Sequence, residues 1–303
     1  MGGLGAMSGP PGSTDLDLYL HLIAQGLAIG LLTGILYVLI ALGLTLIYGI
    51  LHIVNFAHGE IYMLGAMGVF YGYVVLKLPF AVTLVAILVL SLLLGLGVER
   101  AFFRSLRGQW LQLVVASVGL SLIIQSLAWV AFGIQEKNVP SFFTGIMSIG
   151  SVRLPMERLV AAAVGVVLVA LLYLLVYRTK VGLAMRAIEE DEETARMLGI
   201  NADGVAALAC AIGFALAAVA GAFVAPIYSL NPGMGLEVIL MSFLIIIVGG
   251  LGSITGTVLA GLLIGVLQSV GGVLIGAEAA YGLVFVVMIV VLIFRPAGLL
   301  GKA

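Results

Sequence analysis

The feature that most constrains this chain is the recurrence of apolar runs close to the length of a bilayer-spanning helix, such as Leu84 to Val98, Leu159 to Tyr177 and Val205 to Val224. A helix needs about 20 mainly apolar residues to cross the hydrocarbon core. Of the 303 residues, 63% are hydrophobic and 9% charged, against roughly 45–50% and about 25% in soluble domains. No water-soluble core uses that much apolar sequence. A β-barrel is excluded because its strands alternate apolar and polar residues, and these runs do not. The expected fold is an all-α integral membrane protein of about eight or nine transmembrane segments.

The net charge of −1 offers no basic field for nucleic acid. Cys210 is the single cysteine, so no intrachain disulfide is possible; set in an apolar run, it reads as a small buried hydrophobe. The first 20 residues contain no Lys or Arg, the wrong composition for a cleavable signal peptide. Residues 1–18 read as a disordered extracytoplasmic tail and 19–303 as a single transmembrane domain.

Most basic residues fall in three places between apolar runs: Arg100, Arg104 and Arg107; Arg178, Lys180, Arg186 and Arg196; and Arg295 with Lys302. The positive-inside rule puts all three in the cytoplasm, which leaves the N-terminus outside and the C-terminus inside. The segments Gln135 to Glu157 and Ile227 to Glu237, poor in basic residues and containing Pro140, Pro155 and Pro232, then belong on the outer face.

One loop, 178–203, is long, polar and cytoplasmic. Within it, residues 181–198 set Leu183, Met185, Ala187, Ile188, Ala195 and Leu198 among charges, a pattern suited to a short amphipathic helix. Gly199 supplies a stop, and Asn201 or Asp203 can cap the next transmembrane helix near Val205. The segment is either a solvated connector or a helix offering apolar knobs to another protein.

Two places interrupt apolar sequence with small or polar residues: Val54 to Glu60, and Gly249 to Gly256. They predict two broken helices in a weak parallel internal repeat, and transporters commonly line their pathway with such discontinuous helices. Asn55, His58 and Glu60 form the most polar cluster within an apolar stretch. Such groups face a cavity or a protein partner, so Glu60 either pairs with His58 or caps a half-helix, or the cluster meets substrate. His52 and His58, six residues apart on a helix, would lie on different faces, so no metal site is expected. Gly34, Gly43, Gly65, Gly221, Gly261 and Gly265 suit close helix packing. The Gly249 to Gly256 cluster lacks the lysine and preceding strand of a phosphate-binding loop, so nucleotide, if it is handled at all, is handled by another chain.

The strings GLTLIYGILHIVNFAHGEIYMLGA (43–66), TKVGLAMRAIEEDEETARMLGINAD (179–203), VGGLGSITGTVLAG (248–261) and RPAGLLG (295–301) resemble the LivH-type permease of bacterial branched-chain amino-acid ABC importers. The resemblance runs from about Leu20 to Gly301; only the Gly-rich stretch Met1 to Pro11 departs from it. It implies a subunit of the bacterial cytoplasmic membrane that carries no ATPase, cofactor or catalytic residue of its own. Its implied partners are a second homologous permease, two cytoplasmic ATP-binding subunits and a periplasmic or lipid-anchored binding protein that sets most of the substrate choice. The resemblance also implies alternating access driven through a coupling helix, carried here onto Leu183 to Leu198 with Leu183, Ala184, Arg186, Ala187 and Gly199 as contacts. Asn55, His58, Glu60, Gly249, Gly250, Gly252 and Ser253 are then expected at or beside the translocation path. Relatives assigned to urea and short amides keep those substrates open. A self-contained secondary transporter would instead use His58 and Glu60 as an ion relay. An intramembrane enzyme would need a nucleophile with its base or a metal triad, and the sequence offers neither.

Overall fold

The computed structural model describes residues 13–301, with side chains described from Asp17 onward. Its helices are α1 (Ser13–Leu51), α2 (His58–Val69), α3 (Phe80–Val98), α4 (Trp110–Phe132), α5 (Met156–Arg178), α6 (Lys180–Glu190), α7 (Glu192–Met197), α8 (Ala202–Val224), α9 (Met234–Gly249), α10 (Ile254–Ile275) and α11 (Ala277–Phe294). Seven of them, α1, α3, α4, α5, α8, α10 and α11, are long and apolar enough to cross a membrane, and α9 is a shorter apolar helix. The 12 residues of α2 continue into six of π-helix, Phe70–Val75, together about 27 Å long at 1.5 Å per residue. This is an all-α integral membrane protein.

Helix α1 already includes residues 13–18, which the sequence reading gave to a disordered tail; the rest of that tail lies outside the described residues. No glycine or proline separates Ser13 from Gln25, so nothing interrupts the helix until well inside the apolar run. The segment 135–157, expected as a plain loop, contains an antiparallel hairpin of β1 (Ile146–Ile149) and β2 (Val152–Pro155), turning at Gly150 with φ +60°. Pro155 ends the second strand, where a missing N–H is tolerated.

Helix α8 is the axis of the bundle. Nearly all of its residues are buried, against α1, α2, α3 and α5. Its sequence is dominated by Ala and Gly, so neighbours approach its backbone from every side; in lipid, where apolar side chains gain little from meeting one another, such close van der Waals packing drives association. The outer helices do the reverse and turn Leu93, Val115, Leu127, Val167 and Ile293 outward, the pattern of lipid-facing walls.

The six glycines singled out for packing all sit at helix crossings. A Cβ on Gly65 would lie 2.1 Å from Ala218 O, on Gly221 2.0 Å from Tyr62 O, and on Gly265 2.4 Å from Gly34 Cα. Gly43 meets Gly213 O, and Gly261 meets Val38. Gly97 on α3, by contrast, has nothing within 4 Å. Gly65→Ala and Gly221→Ala should each cost about 1–3 kcal/mol through forced separation of the helices. Gly97→Ala should be neutral or slightly stabilising. The thermal unfolding midpoints of the three variants in detergent check this ordering.

Candidate functional site

The first interruption is an unwound segment inside the bundle. At His52 the chain leaves α1 with φ +52°, runs outside any helix to Asn55, and turns into α2. Several of its backbone groups find partners in protein. Asn55 Oδ1 accepts from Ala57 N at 3.1 Å, and Asn55 O accepts from His58 N at 3.3 Å. From α4, Ser117 Oγ accepts from Phe56 N at 3.3 Å and lies 3.2 Å from Val54 O. Asn55 is thus the residue that shapes the start of α2, by an Asx turn.

His58 and Glu60 do not meet as a pair. His58 Nε2 lies 3.0 Å from Ile40 O on α1; because a carbonyl only accepts, that nitrogen carries the proton. The ring packs against Phe214 and fills the space that Gly43 leaves open. Glu60 Oε1 accepts from Ser121 Oγ at 3.1 Å, and its carboxylate lies beside Gly235 at the start of α9. The start of α2 takes no side-chain cap from Glu60, so neither mechanical role expected of it is realised. Asn55 Nδ2, His58 Nδ1 and Glu60 Oε2 are buried without a hydrogen-bond partner among the described residues. All three residues are at most 1% exposed, and none lines a large cavity.

The second interruption is of a different kind. Gly250 (φ +105°) and Gly252 (φ +82°) make a tight turn between α9 and α10, and Ser253 caps α10 by accepting from Gly256 N at 3.1 Å. The terminal carbonyls of α9 are taken up by the C-terminal segment, with Leu299 N donating to Val248 O at 2.8 Å and Leu300 N to Gly249 O at 3.0 Å. Gly249 packs on Gly256, and Gly250 on Gly298 and Gly301. The seven expected pathway residues therefore form two separate groups. Gly249, Gly250, Gly252 and Ser253 keep company with the α6 side of the molecule, where Gly252 and Ser253 share a cleft of about 390 Å³ with Arg186, Glu189 and Tyr177.

The amphipathic stretch 181–198 forms two helices where one was expected. Thr179 caps α6 by accepting from Gly182 N, and Asp191 stops it and caps α7 by accepting from Thr194 N at 3.0 Å. The Thr194 hydroxyl and amide hold the Asp191 carboxyl below the usual range. Met185, Ile188 and Ala195 face the bundle, whereas Leu183, Met197 and Leu198 are exposed. Among the nominated contacts, Leu183 and Arg186 face outward, Arg186 lying over the Tyr177 ring; Ala184 and Ala187 are half-buried, and Gly199 (φ +85°) shapes the exit. Met197 is an exposed apolar residue that sequence reading passed over, although it neighbours Leu198.

A chain of ion pairs ties this segment to the bundle. Arg196 on α7 contacts Glu192 and Asp203, each at 2.8 Å. Arg107, before α4, bonds both Asp203 in the first turn of α8 and Glu99, which is fully buried at the end of α3. Arg104 stands 3.8 Å from both carboxylates. This network was not foreseen, because its members are far apart in sequence.

At the opposite end of the bundle, beside the strand pairing of Lys137 with Leu230, lies a second cavity of about 390 Å³. One stripe of α1 (Thr33, Leu36, Tyr37, Ile40) faces one stripe of α9 (Met234, Glu237, Val238, Met241), and Tyr62, Val224, Tyr228, Ser229, Asn231, Gln268 and Tyr281 complete the walls. Both stripes have i, i+3, i+4, i+7 spacing, the signal that sequence inspection had available and did not use.

The family described as the branched-chain amino acid transport system / permease component matches residues 26–293. This chain belongs to that permease family. The branched-chain amino acid permease BraD of Pseudomonas aeruginosa is 34% identical over 94% of this chain and 97% of its own length. LivH of Escherichia coli K12 is 31% identical over 90% and 94%, and a probable LivH of Methanocaldococcus jannaschii 28% over 88% and 89%. No solved structure matches. In the permease, Arg107 makes the two short bonds that join the buried Glu99 to Asp203 on α8, with Arg104 farther off at 3.8 Å from each, so Arg107→Met should destabilise by about 1–3 kcal/mol by removing the nearer partner of a buried carboxylate. Adding Glu99→Gln to it should recover much of the loss, as read from unfolding midpoints of the single and double variants.

Proposed function

We propose that this permease is the membrane-spanning subunit of an ATP-driven importer for branched-chain amino acids. It works with a second permease, two cytoplasmic ATP-binding subunits and a substrate-binding protein on the outer face, with its own N-terminus outside and C-terminus in the cytoplasm. The observation that carries this reading is the near full-length match to permeases of branched-chain amino acid transport. Two structural features support it. The basic clusters converge on one end of the bundle: Arg104, Arg107 and Arg196 in the ion-pair network, Arg186 in the neighbouring cleft and Arg295 on the segment that closes α9. That convergence is what the positive-inside rule requires of a cytoplasmic face. The same end presents Leu183, Met197 and Leu198 on two short capped helices, a small apolar surface outside the spanning segments and suited to docking.

In this mechanism α6 and α7 receive the motion of the ATP-binding subunits and the ion-pair chain passes it to α8 and α3. Asn55, His58 and Glu60 hold the unwound segment against α1 and α4, while the two cavities at opposite ends mark where an alternating path opens to each side. No covalent step falls to this chain.

Gentle extraction from the native membrane should co-purify a second permease and two ATP-binding subunits, with ATPase activity raised by a leucine-loaded binding protein. Recovery of the chain alone, with proton- or sodium-driven uptake after reconstitution, would overturn the importer. Within the complex, Arg186→Glu and Ala187→Trp should cut leucine uptake at least about tenfold, with the unfolding midpoint unchanged in Arg186→Glu. Wild-type uptake in both variants would remove the docking role of α6.

A further inference from the structure

The outer cavity carries more than apolar walls. Glu237, on the α9 stripe, is the one carboxylate among its lining residues. Arg158, in the first turn of α5, contacts two of its lining residues: Nη1 donates to Thr33 Oγ1 at 3.1 Å, and the guanidinium lies 5.7 Å from the centre of the Tyr228 ring. Arg158 is not itself part of the lining, so the guanidinium stands just behind the wall that Thr33 and Tyr228 form, one side-chain rotation from the space that Glu237 faces. Tyr37 Oη donates to Gln268 Oε1 at 2.7 Å, which leaves the Gln268 NH2 as a donor on the wall. Tyr62 is 4% exposed and lines the same cavity, with no hydrogen bond from its hydroxyl among the described residues. Leu36, Ile40, Val238 and Met241 supply the apolar side.

We infer that this cavity is a binding site for a small zwitterion with a branched apolar side chain: Glu237 takes its ammonium, Arg158 its carboxylate, and Leu36, Ile40 and Met241 its side chain. The inference rests on the importer reading and deepens it, because it gives the permease a site of its own and makes it a second checkpoint after the binding protein. The chemistry selects strongly. A ligand lacking either charge leaves one ionised side chain without its partner, whereas a larger or smaller aliphatic group changes only the fit to a flexible methionine wall. The volume of about 390 Å³ falls in the range of small-molecule sites, and the tyrosines provide polar edges without adding charge.

The test uses the assembled transporter in lipid nanodiscs, with this chain carrying 13C-methyl methionine and leucine as the probe. Leucine should shift the Met234 and Met241 methyl signals in a saturable manner. Glu237→Gln and Arg158→Gln should each weaken that binding about tenfold or more, the size expected for a lost charged hydrogen bond, and Arg158→Lys should restore much of it. In the wild type, 4-methylpentanoate and 3-methylbutylamine should bind as weakly as leucine binds the matching variant. Leucine uptake is recorded on the same preparation. Uptake without methyl shifts overturns the site and leaves the importer standing, and equal shifts from all three probes mark a generic apolar crevice and overturn it too. Absence of uptake for every branched-chain amino acid removes the importer and the inference with it.

Discussion

Inside a bilayer, each backbone N–H and C=O must find a partner in protein, since there is no water to supply one. Most of this chain meets that demand by being helical. The exception is the stretch 52–57, and the structure around it is arranged to answer the demand there: Asn55 turns back onto the chain, Ser117 reaches across from α4, and the buried α8 closes the other side. A serine on α4 and an asparagine on the unwound segment thus set where α2 begins. Where α2 begins in turn decides that Tyr62 faces the cavity between α1 and α9 and that Glu60 meets Ser121.

Small residues are the second condition. An unwound segment and a short α2 have little surface with which to hold themselves in place, so they are gripped closely. Gly59 lies against Gly235, Gly65 against Ala218, and Gly221 against Tyr62. These contacts bring α2, α8 and α9 to backbone distance. The same principle joins α1 to α10 through Gly30, Gly34, Gly261 and Gly265. Lipid gives apolar side chains little reason to cluster, so shape at these crossings does what burial does in a soluble core.

The spanning helices, the packing glycines and the interruption at Asn55 were legible because each rests on local sequence: run length, small residues at crossings, polar residues in an apolar stretch. The relations between segments were not. Glu60 looked like a partner for His58, two positions away, but consecutive helical positions face apart, and the partner is Ser121 on another helix. The Gly249 to Gly256 string looked like the Asn55 segment because both break an apolar run; only the structure distinguishes an unwound passage from a turn clamped by the C-terminal segment. The acidic run 189–193 hid a helix boundary at Asp191, where capping by a short carboxylate outweighs continuation. The cavity between α1 and α9 was spelled out in two stripes, but nothing in one stripe names the other.

The pairing of α1 with α10 has a consequence in time. Gly26 meets Val270 and Gly34 meets Leu262, so α1 finds its main partner only after all the helices between them have been made. The closing of α9 by Leu299 and Leu300 comes later still, after α11 has been made. During biogenesis the glycine face of α1 therefore waits in lipid or beside the insertion machinery while the segments between are threaded. The bundle closes only once the segment after α11 has been made, and loss of that segment acts on assembly as much as on the finished protein.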